Sequence, residues 1–412
     1  MINSFEDYLV ESVNAHMEHL EDLVFNEGIK GTRRAIDFLY DLRDMLKGKS
    51  DSKIKATVKW DGSPAIFIGI DPKDKRFFVA TKSIFNATPK VYKSLKEILA
   101  DEKDSDLSDK LQTAFTEFSK LGIKAGVYQG DIMFTSKTLK TERIDGESYI
   151  TFHPNTIVYA IPAKSLLASK ISKANIGVVF HTSYTGTSLE NLRAEFGKSI
   201  INKFKPIPSI WVDDATYKDV TGSATFTRKE LSELEGLMKR IETLFIDIKP
   251  SVVEDIRKDT ELLELIKIYN NSRIKEGEKI TNVTAHVSGL FHFISDRFQK
   301  DIDSKKTEKA KATWIEKRKK VLSYFTAHNQ KDIISVFDLT NAISDAKKMI
   351  IDKMNEASEI GTFLKTDKGF KPTGVEGFVA IDRLGGNAVK IVDRMEFSKA
   401  NFSAGILKGW QR

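Results

Sequence analysis

Over residues 4–47 apolar positions recur at helical spacing. Phe5, Leu9, Val13, His16 and Leu20 fall on one face of an expected amphipathic helix. Glu27-Gly28 and Lys30-Gly31 interrupt the period, so a second helix is expected from Thr32 through Met45, ahead of the polar loop Lys47–Ser52. From residue 53 the period changes to two. Ile54–Lys59 alternates, Ala65–Ile70 reads as a buried strand, and Arg76–Lys82 returns from it after the turn Asp71–Lys75, which predicts a hairpin. Residues 93–121 read as helical. Strands are expected at 125–134, 148–163 and 176–184. Residues 226–358 are helical and highly charged almost throughout, and strand character returns at 375–381 and 387–392.

This order predicts an α+β protein with antiparallel sheets. Residues 1–50 form N-terminal helices packing on a core, residues 51–215 and 366–412 form the core itself, and residues 216–365 form a helical insertion domain. A chain of 412 residues that is 41% hydrophobic can bury such a core. With no cysteine, neither disulfides nor thiolate metal sites can form, which suits a reducing cytoplasm. No apolar run approaches ~18 residues, so no membrane partner is expected. The early acidic residues of MINSFEDYLVESV do not read as a signal peptide. The net charge of +7 allows a polyanionic partner without requiring one.

Four segments each put a charged group, Lys59, Asp131, Glu376 or Lys390, on an otherwise apolar strand: Lys59-Trp60-Asp61-Gly62, Gln129-Gly130-Asp131, Glu376-Gly377-Phe378-Val379 and Val389-Lys390-Ile391-Val392. A buried lone charge is costly unless it is paired or faces a cleft. Two cations and two anions on strands could therefore line one groove. Nucleotidyl transfer uses these residue types. A deprotonated lysine attacks the α-phosphorus, carboxylates hold divalent ions against phosphate, and a second lysine offsets charge developing in the transition state. A glycine after the acid lets the backbone approach a nucleotide.

The ordered set resembles the covalent nucleotidyltransferase superfamily, the ATP-dependent DNA and RNA ligases and the mRNA-capping enzymes. Lys59-Trp60-Asp61-Gly62 is similar to the KxDG motif that carries the AMP-accepting lysine. Asp131 stands where the family has a strand-borne acid, Glu376-Gly377-Phe378-Val379 matches its EGxV motif, and Lys390 matches the first lysine of its last motif. Phe78–Ser83 and Thr156–Ile161 resemble two further motifs. They imply Lys82 as a ribose or phosphate contact and Tyr159 as the ring stacking on the base. Asp393–Ser398 resembles RNA ligases more than DNA ligases. The second lysine of the last motif is replaced by Val392, Ser63-Pro64-Ala65 stands where an arginine often follows the first motif, and Asp131 and Glu376 are unusually far apart. The layout, with EHLEDLVFNEGIKGTRRAIDFL and KWDGSPA, also resembles uncharacterised proteins of large tailed phages, which would place the protein in the cytoplasm of an infected host cell.

The resemblance implies a ligase-type adenylyltransferase core and an ATP-dependent polynucleotide ligase acting through a lysyl-AMP intermediate. Lys59, Glu376, Lys390 and Asp131 are the expected catalytic residues. Val58, Lys59, Asp61, Gly62, Lys82, Tyr159, Glu376 and Lys390 would contact ATP. Asp131 and Glu376 would hold Mg2+, with Mn2+ as the alternative ion. The expected partner is nucleic acid with 5′-phosphate and 3′-hydroxyl ends, RNA favoured over DNA, and the helical insertion could grip it or a protein partner. Two alternatives stay open: a nucleotidyltransferase that modifies an RNA end or a protein without sealing, and an inactive fold used for binding or as a virion component. The basic stretch Lys305–Lys320 with Trp314 fits phosphate contact plus stacking, or a solvated helix with one buried ring. His16 with His19, and His286 with His292, lack a third ligand at zinc-like spacing and read as structural. His181 is the histidine best placed to lie near the cleft, and no GxxxxGK[ST] phosphate loop is present.

Overall fold

The computed structural model describes residues 17–47, 54–103, 105–196, 200–218, 224–358, 360–382, 388–403 and 405–409. The helix expected from Phe5 to Leu20 lies outside them as far as His16, as does most of the loop Lys47–Ser52. Its described end is not helical: Leu20 N donates to Lys390 O at 3.2 Å and Lys390 N to Glu18 O at 2.8 Å, so residues 18–20 pair as an edge beside Lys390. The described chain is α+β. Helix α1 (Leu23–Leu46) kinks at Gly28, whose φ of 64° is non-helical, where the sequence loses its helical period. Glu254, in the helix Pro250–Lys258, accepts a hydrogen bond from Ile29 N at 3.1 Å and so caps the resumed helix. A Cβ on Gly28 would lie 2.2 Å from Glu254 Oε1. Gly28→Ala is therefore expected to cost roughly 1–3 kcal/mol, read as a lower thermal midpoint. An unchanged midpoint would contradict this account of the kink.

Three sheets follow from the alternating segments. Sheet A joins β1 (Ile54–Lys59) to β13 (Gly377–Asp382) and β14 (Ala388–Ile391), all antiparallel, with β13 in the middle. That position explains why β13 reads as a nearly continuous apolar run. Sheet B runs β10 (Ile210–Asp214), β8 (Ile176–Thr185), β4 (Val127–Thr135), β2 (Ala65–Ile70) and β3 (Phe77–Ala80), with β9 (Arg193–Phe196) also on β8. The segment after β10 bonds to the free edge of β1, through Val58 N to Ala215 O at 2.6 Å and Tyr217 N to Ala56 O at 2.9 Å. Sheets A and B are thereby joined along one edge. Sheet C is the antiparallel order β12 (Gly369–Pro372), β11 (Gly361–Thr366), β7 (Ile157–Pro162), β6 (Glu147–Phe152) and β5 (Lys140–Ile144). The strand expected over 148–163 is thus a hairpin, and β11 extends the sheet into residues the sequence assigned to the helical insertion.

Helices α2 (Leu95–Asp101) and α3 (Asp106–Phe118) divide the helical stretch expected over 93–121, each started by a serine cap, Ser94 and Ser105. Leu111, Ala114 and Phe118 of α3 pack on sheet B. Between sheets B and C, Met133, Phe134 and Val179 meet Phe152, Ile157 and Tyr159, with the short helix α4 (Leu166–Ile171) alongside. The helical stretch forms α5 (Arg228–Asp247), α6 (Pro250–Lys258), α7 (Thr260–Glu276), α8 (Val283–Asp303), α9 (Glu308–Leu322) and α10 (Ala327–Asn355). Its helix ends at Asn355, ten positions short of the expected boundary at 365. Its core is continuous with α1 and with Ile54, Ala56, Phe378, Ala380 and Ile391 of sheet A. A buried ion pair, Lys347 to Glu21 at 2.7 Å, lies at that junction. Helix α11 (Arg394–Phe402) closes the described fold, capped by Asp393. No helix among the described residues is long and apolar enough to cross a membrane.

Candidate active site

Lys59 is the last residue of β1 and lies opposite Gly377 of β13, while Val379 of β13 lies opposite Lys390 of β14. With a side-chain period of two, Lys59, Val379 and Lys390 share one face of sheet A. Glu376, immediately before β13, forms an ion pair with Lys59. The chain then crosses to sheet B through Trp60–Pro64 and is fastened to β4 by Ser63 N to Ile132 O at 2.9 Å and Ile132 N to Pro64 O at 3.0 Å. That crossing brings Asp131 of β4, opposite Ala65 of β2, to the Lys59 groove. A Cβ on Gly62 would lie 2.5 Å from Asp131 Cβ and 2.8 Å from Met133 Sδ. In this structure Gly62 is needed for the close pass against β4.

Asp61 is buried and its carboxylate is fully engaged. Oδ1 accepts from Asn155 Nδ2 at 2.6 Å, and Oδ2 accepts from Thr156 N at 2.6 Å and Ile157 N at 2.8 Å. It anchors the strand end to the turn before β7. Tyr159 of β7 accepts a hydrogen bond from Asp61 N at 2.8 Å and packs against Trp60 and Phe152, with ring centroids 5.0 and 5.2 Å away. Only 1% of it is exposed, so it is a core ring supporting Asp61; a stacked base would first have to displace its neighbours. Val58 also departs from its expected role. Its N–H is taken by Ala215, and its side chain faces away from Lys59, toward an apolar hollow walled by Trp60, Tyr217 and Phe378. Lys82 is exposed at the end of β3 and is close enough to favour ionisation of Asp131.

The electrostatics follow from a partly buried groove with mixed charge. Burial pushes the Asp131 carboxyl up to about 7; Lys59 opposes the shift, and Glu376 and Asp61 add to it. Burial likewise raises Glu376, against the pull of Lys59. Burial lowers Lys390, and the neighbouring Lys59 charge lowers it further. Between Gln129 and Gly130 the β4–β8 register shifts, leaving His181 unpaired in a bulge that turns it toward Asp131, with Nε2 3.6 Å from Oδ2. Its Nδ1 lies 2.8 Å from Thr182 Oγ1, and burial holds it down to about 4, so it is neutral at pH 7. Among the described residues no group of three or more His, Asp or Glu is arranged to hold a metal ion.

Trp314 and His286 fall outside the groove, whereas His19 pairs with the Lys390 backbone at the edge of β14. Trp314 of α9 packs toward Phe298, with the Lys305 and Lys317 ammonium groups 4.5 and 4.8 Å from its ring centroid. His286 is buried beside Asn270 at 2.9 Å, and burial pushes His19, beside β14, down to about 3. Lys408 is a residue that sequence reasoning missed. It is buried and donates to Thr156 Oγ1 at 3.1 Å, in the turn that holds Asp61. No local sequence signal marks it, because the contact spans 252 positions.

No curated protein and no solved structure matches the chain. Residues 14–405 match the model of a protein family described as a family of unknown function, DUF6267. With nearly its whole length covered, the chain belongs to family DUF6267.

Proposed function

We propose that the protein is an ATP-dependent covalent nucleotidyltransferase, with a ligase-type core, that forms a lysyl-AMP at Lys59 and uses it on polynucleotide ends. The supporting observation is that Lys59, Asp131, Glu376 and Lys390, far apart in sequence and borne on or beside strands of two sheets, meet in one groove with Lys59 paired to Glu376. In the first step Lys59 Nζ attacks the α-phosphorus. The Nζ–P bond forms, the bond to pyrophosphate breaks, and the two protons of the ammonium leave through Glu376 and water. Lys390 offsets the charge on the α-phosphate. The donor set suits a hard cation: Asp131 and Glu376 would hold Mg2+ (or Mn2+), with phosphate and water completing the shell, and the ion would neutralise phosphate charge. Burial raises both carboxyls, and a cation beside them would offset that cost.

AMP then passes to a 5′-phosphate end and is displaced by a 3′-hydroxyl, with RNA favoured by the resemblance at Asp393–Ser398. A second reading, AMP transfer without joining, is favoured by Val392. It is buried among Phe152, Tyr159 and Phe397, so no second cation extends from that position. Nicked 5′-phosphorylated substrates separate the two, by yielding either joined strands or adenylylated ends alone. The first step is tested by incubating the protein with α-labelled ATP and magnesium, with GTP and NAD in parallel, then denaturing it. The expected result is a labelled band that Lys59→Ala abolishes; a band of equal intensity in the variant, or none with any nucleotide, would sink the proposal.

A further inference from the structure

The C-terminal stretch of the described chain is packed onto the turn that fixes the proposed nucleophile. Lys408, 8% exposed, donates from Nζ to Thr156 Oγ1 and to Ala400 O, both at 3.1 Å. Thr156 in turn donates its hydroxyl to Asn401 Oδ1 at 2.8 Å. One residue later in the chain, Gly409 N donates to Asn155 O at 2.7 Å. Asn155, Thr156 and Ile157 are the three residues whose N–H groups grip the Asp61 carboxylate. Asp61 lies two positions after Lys59, at the crossing between sheets A and B.

These contacts form one chain: Lys408 and Asn401 hold Thr156, the 155–157 turn holds Asp61, and Asp61 holds the end of β1. Charge runs the same way. Asp61 is 7% exposed, and its carboxylate is held by three N–H donors from the 155–157 turn. Burial lowers the Lys408 ammonium's hold on its proton, and the Asp61 charge works against that shift. Lys408 therefore supplies both a hydrogen bond to the turn and a positive charge near the anion that the turn encloses.

We propose that Lys408 is a positioning residue for Lys59, acting through Thr156 and Asp61 to fix the angle at which the Lys59 amine leaves the end of β1. The inference rests on the reading that Lys59 accepts AMP. It adds that the C-terminal segment, outside every motif of the groove, sets the speed of that step without contacting the nucleotide. A displacement of about 1 Å at a reacting atom can slow a reaction on the order of 100-fold.

The test measures single-turnover formation of the AMP adduct at several ATP concentrations, alongside the thermal midpoint, for the wild type, Lys408→Met, Lys408→Arg, Thr156→Val and the double variant Lys408→Met/Thr156→Val. Lys408→Met is expected to lower the maximal rate roughly tenfold to hundredfold, leaving the ATP concentration for half-maximal rate unchanged. Lys408→Arg should recover most of the rate, and the double variant should be no slower than the slower single, as for residues acting in series. Thr156→Val keeps the backbone N–H to Asp61 and carries the test if Lys408→Met does not fold. A full-rate Lys408→Met, a rate lost only in proportion to the unfolded fraction, or multiplicative losses in the double variant would each overturn the proposal. A wild type that forms no adduct would remove the underlying reading, and that failure is visible in the wild-type lane alone.

Discussion

Asp131→Asn is expected to stabilise the protein at pH 8 and to slow adenylylation of Lys59 by about 100- to 1000-fold. Both effects come from one carboxylate. Burial raises it from its ordinary 3.8 to about 7, so the folded state keeps its proton through a range in which the unfolded chain has released it. The fold is therefore unpenalised below pH 4. It loses stability steadily as pH rises toward 7, by at most about 4 kcal/mol at 1.36 kcal/mol per pH unit. His181 faces it at 3.6 Å but is held down to about 4, so it brings no compensating positive charge at neutral pH. Asparagine keeps the shape and has no charge to bury. Urea melts at pH 5 and pH 8 should show the advantage of the variant widening with pH. An advantage of equal size at both would show that Asp131 is not held neutral by the fold. The same variant loses a carboxylate proposed to face the phosphates, the usual opposition between stability and activity at a reacting site.

Asp61→Asn is expected to act in the opposite sense on stability, with a loss of about 3–5 kcal/mol. Asn155 Nδ2, Thr156 N and Ile157 N all point donors at the Asp61 carboxylate. An amide offers one acceptor atom and turns an NH2 toward at least one of those donors, leaving it unsatisfied in the core. It also removes the negative charge near buried Lys408. The end of β1 would lose its anchor to β7, so adduct formation should fall with stability. Chemical denaturation and adduct yield check both parts. A variant as stable as the wild type would contradict the anchoring role of Asp61.

What the sequence made legible was charge on apolar strands. Lys59, Glu376 and Lys390 each interrupt a hydrophobic run, and β13 joins them because it pairs with β1 on one side and β14 on the other. The helical stretch was readable from its period, but the way it packs was not. Its apolar faces share a core with α1 and the reverse of sheet A, which no local pattern encodes. Strands β11 and β12 went unread because short runs rich in Gly, Thr and Lys carry little alternation. Tyr159 looked like a base platform on motif grounds, whereas its burial depends on Trp60 and Phe152, from two other segments. His181 was expected near the cleft, and it comes within 3.6 Å of Asp131 through a bulge at the Gln129/Gly130 register shift. Lys408 contacts a turn fixed by long-range hydrogen bonds, so its place emerged from the fold alone.

The central claim is that Lys59 Nζ is the atom that takes the nucleotidyl group. Its most direct test is digestion of the protein after incubation with ATP and magnesium, with mass mapping of the peptides. AMP on the peptide that contains Lys59, absent when pyrophosphate is added back, is the result predicted. AMP on another lysine, or on no peptide from protein shown to be free of pre-bound nucleotide, would contradict it.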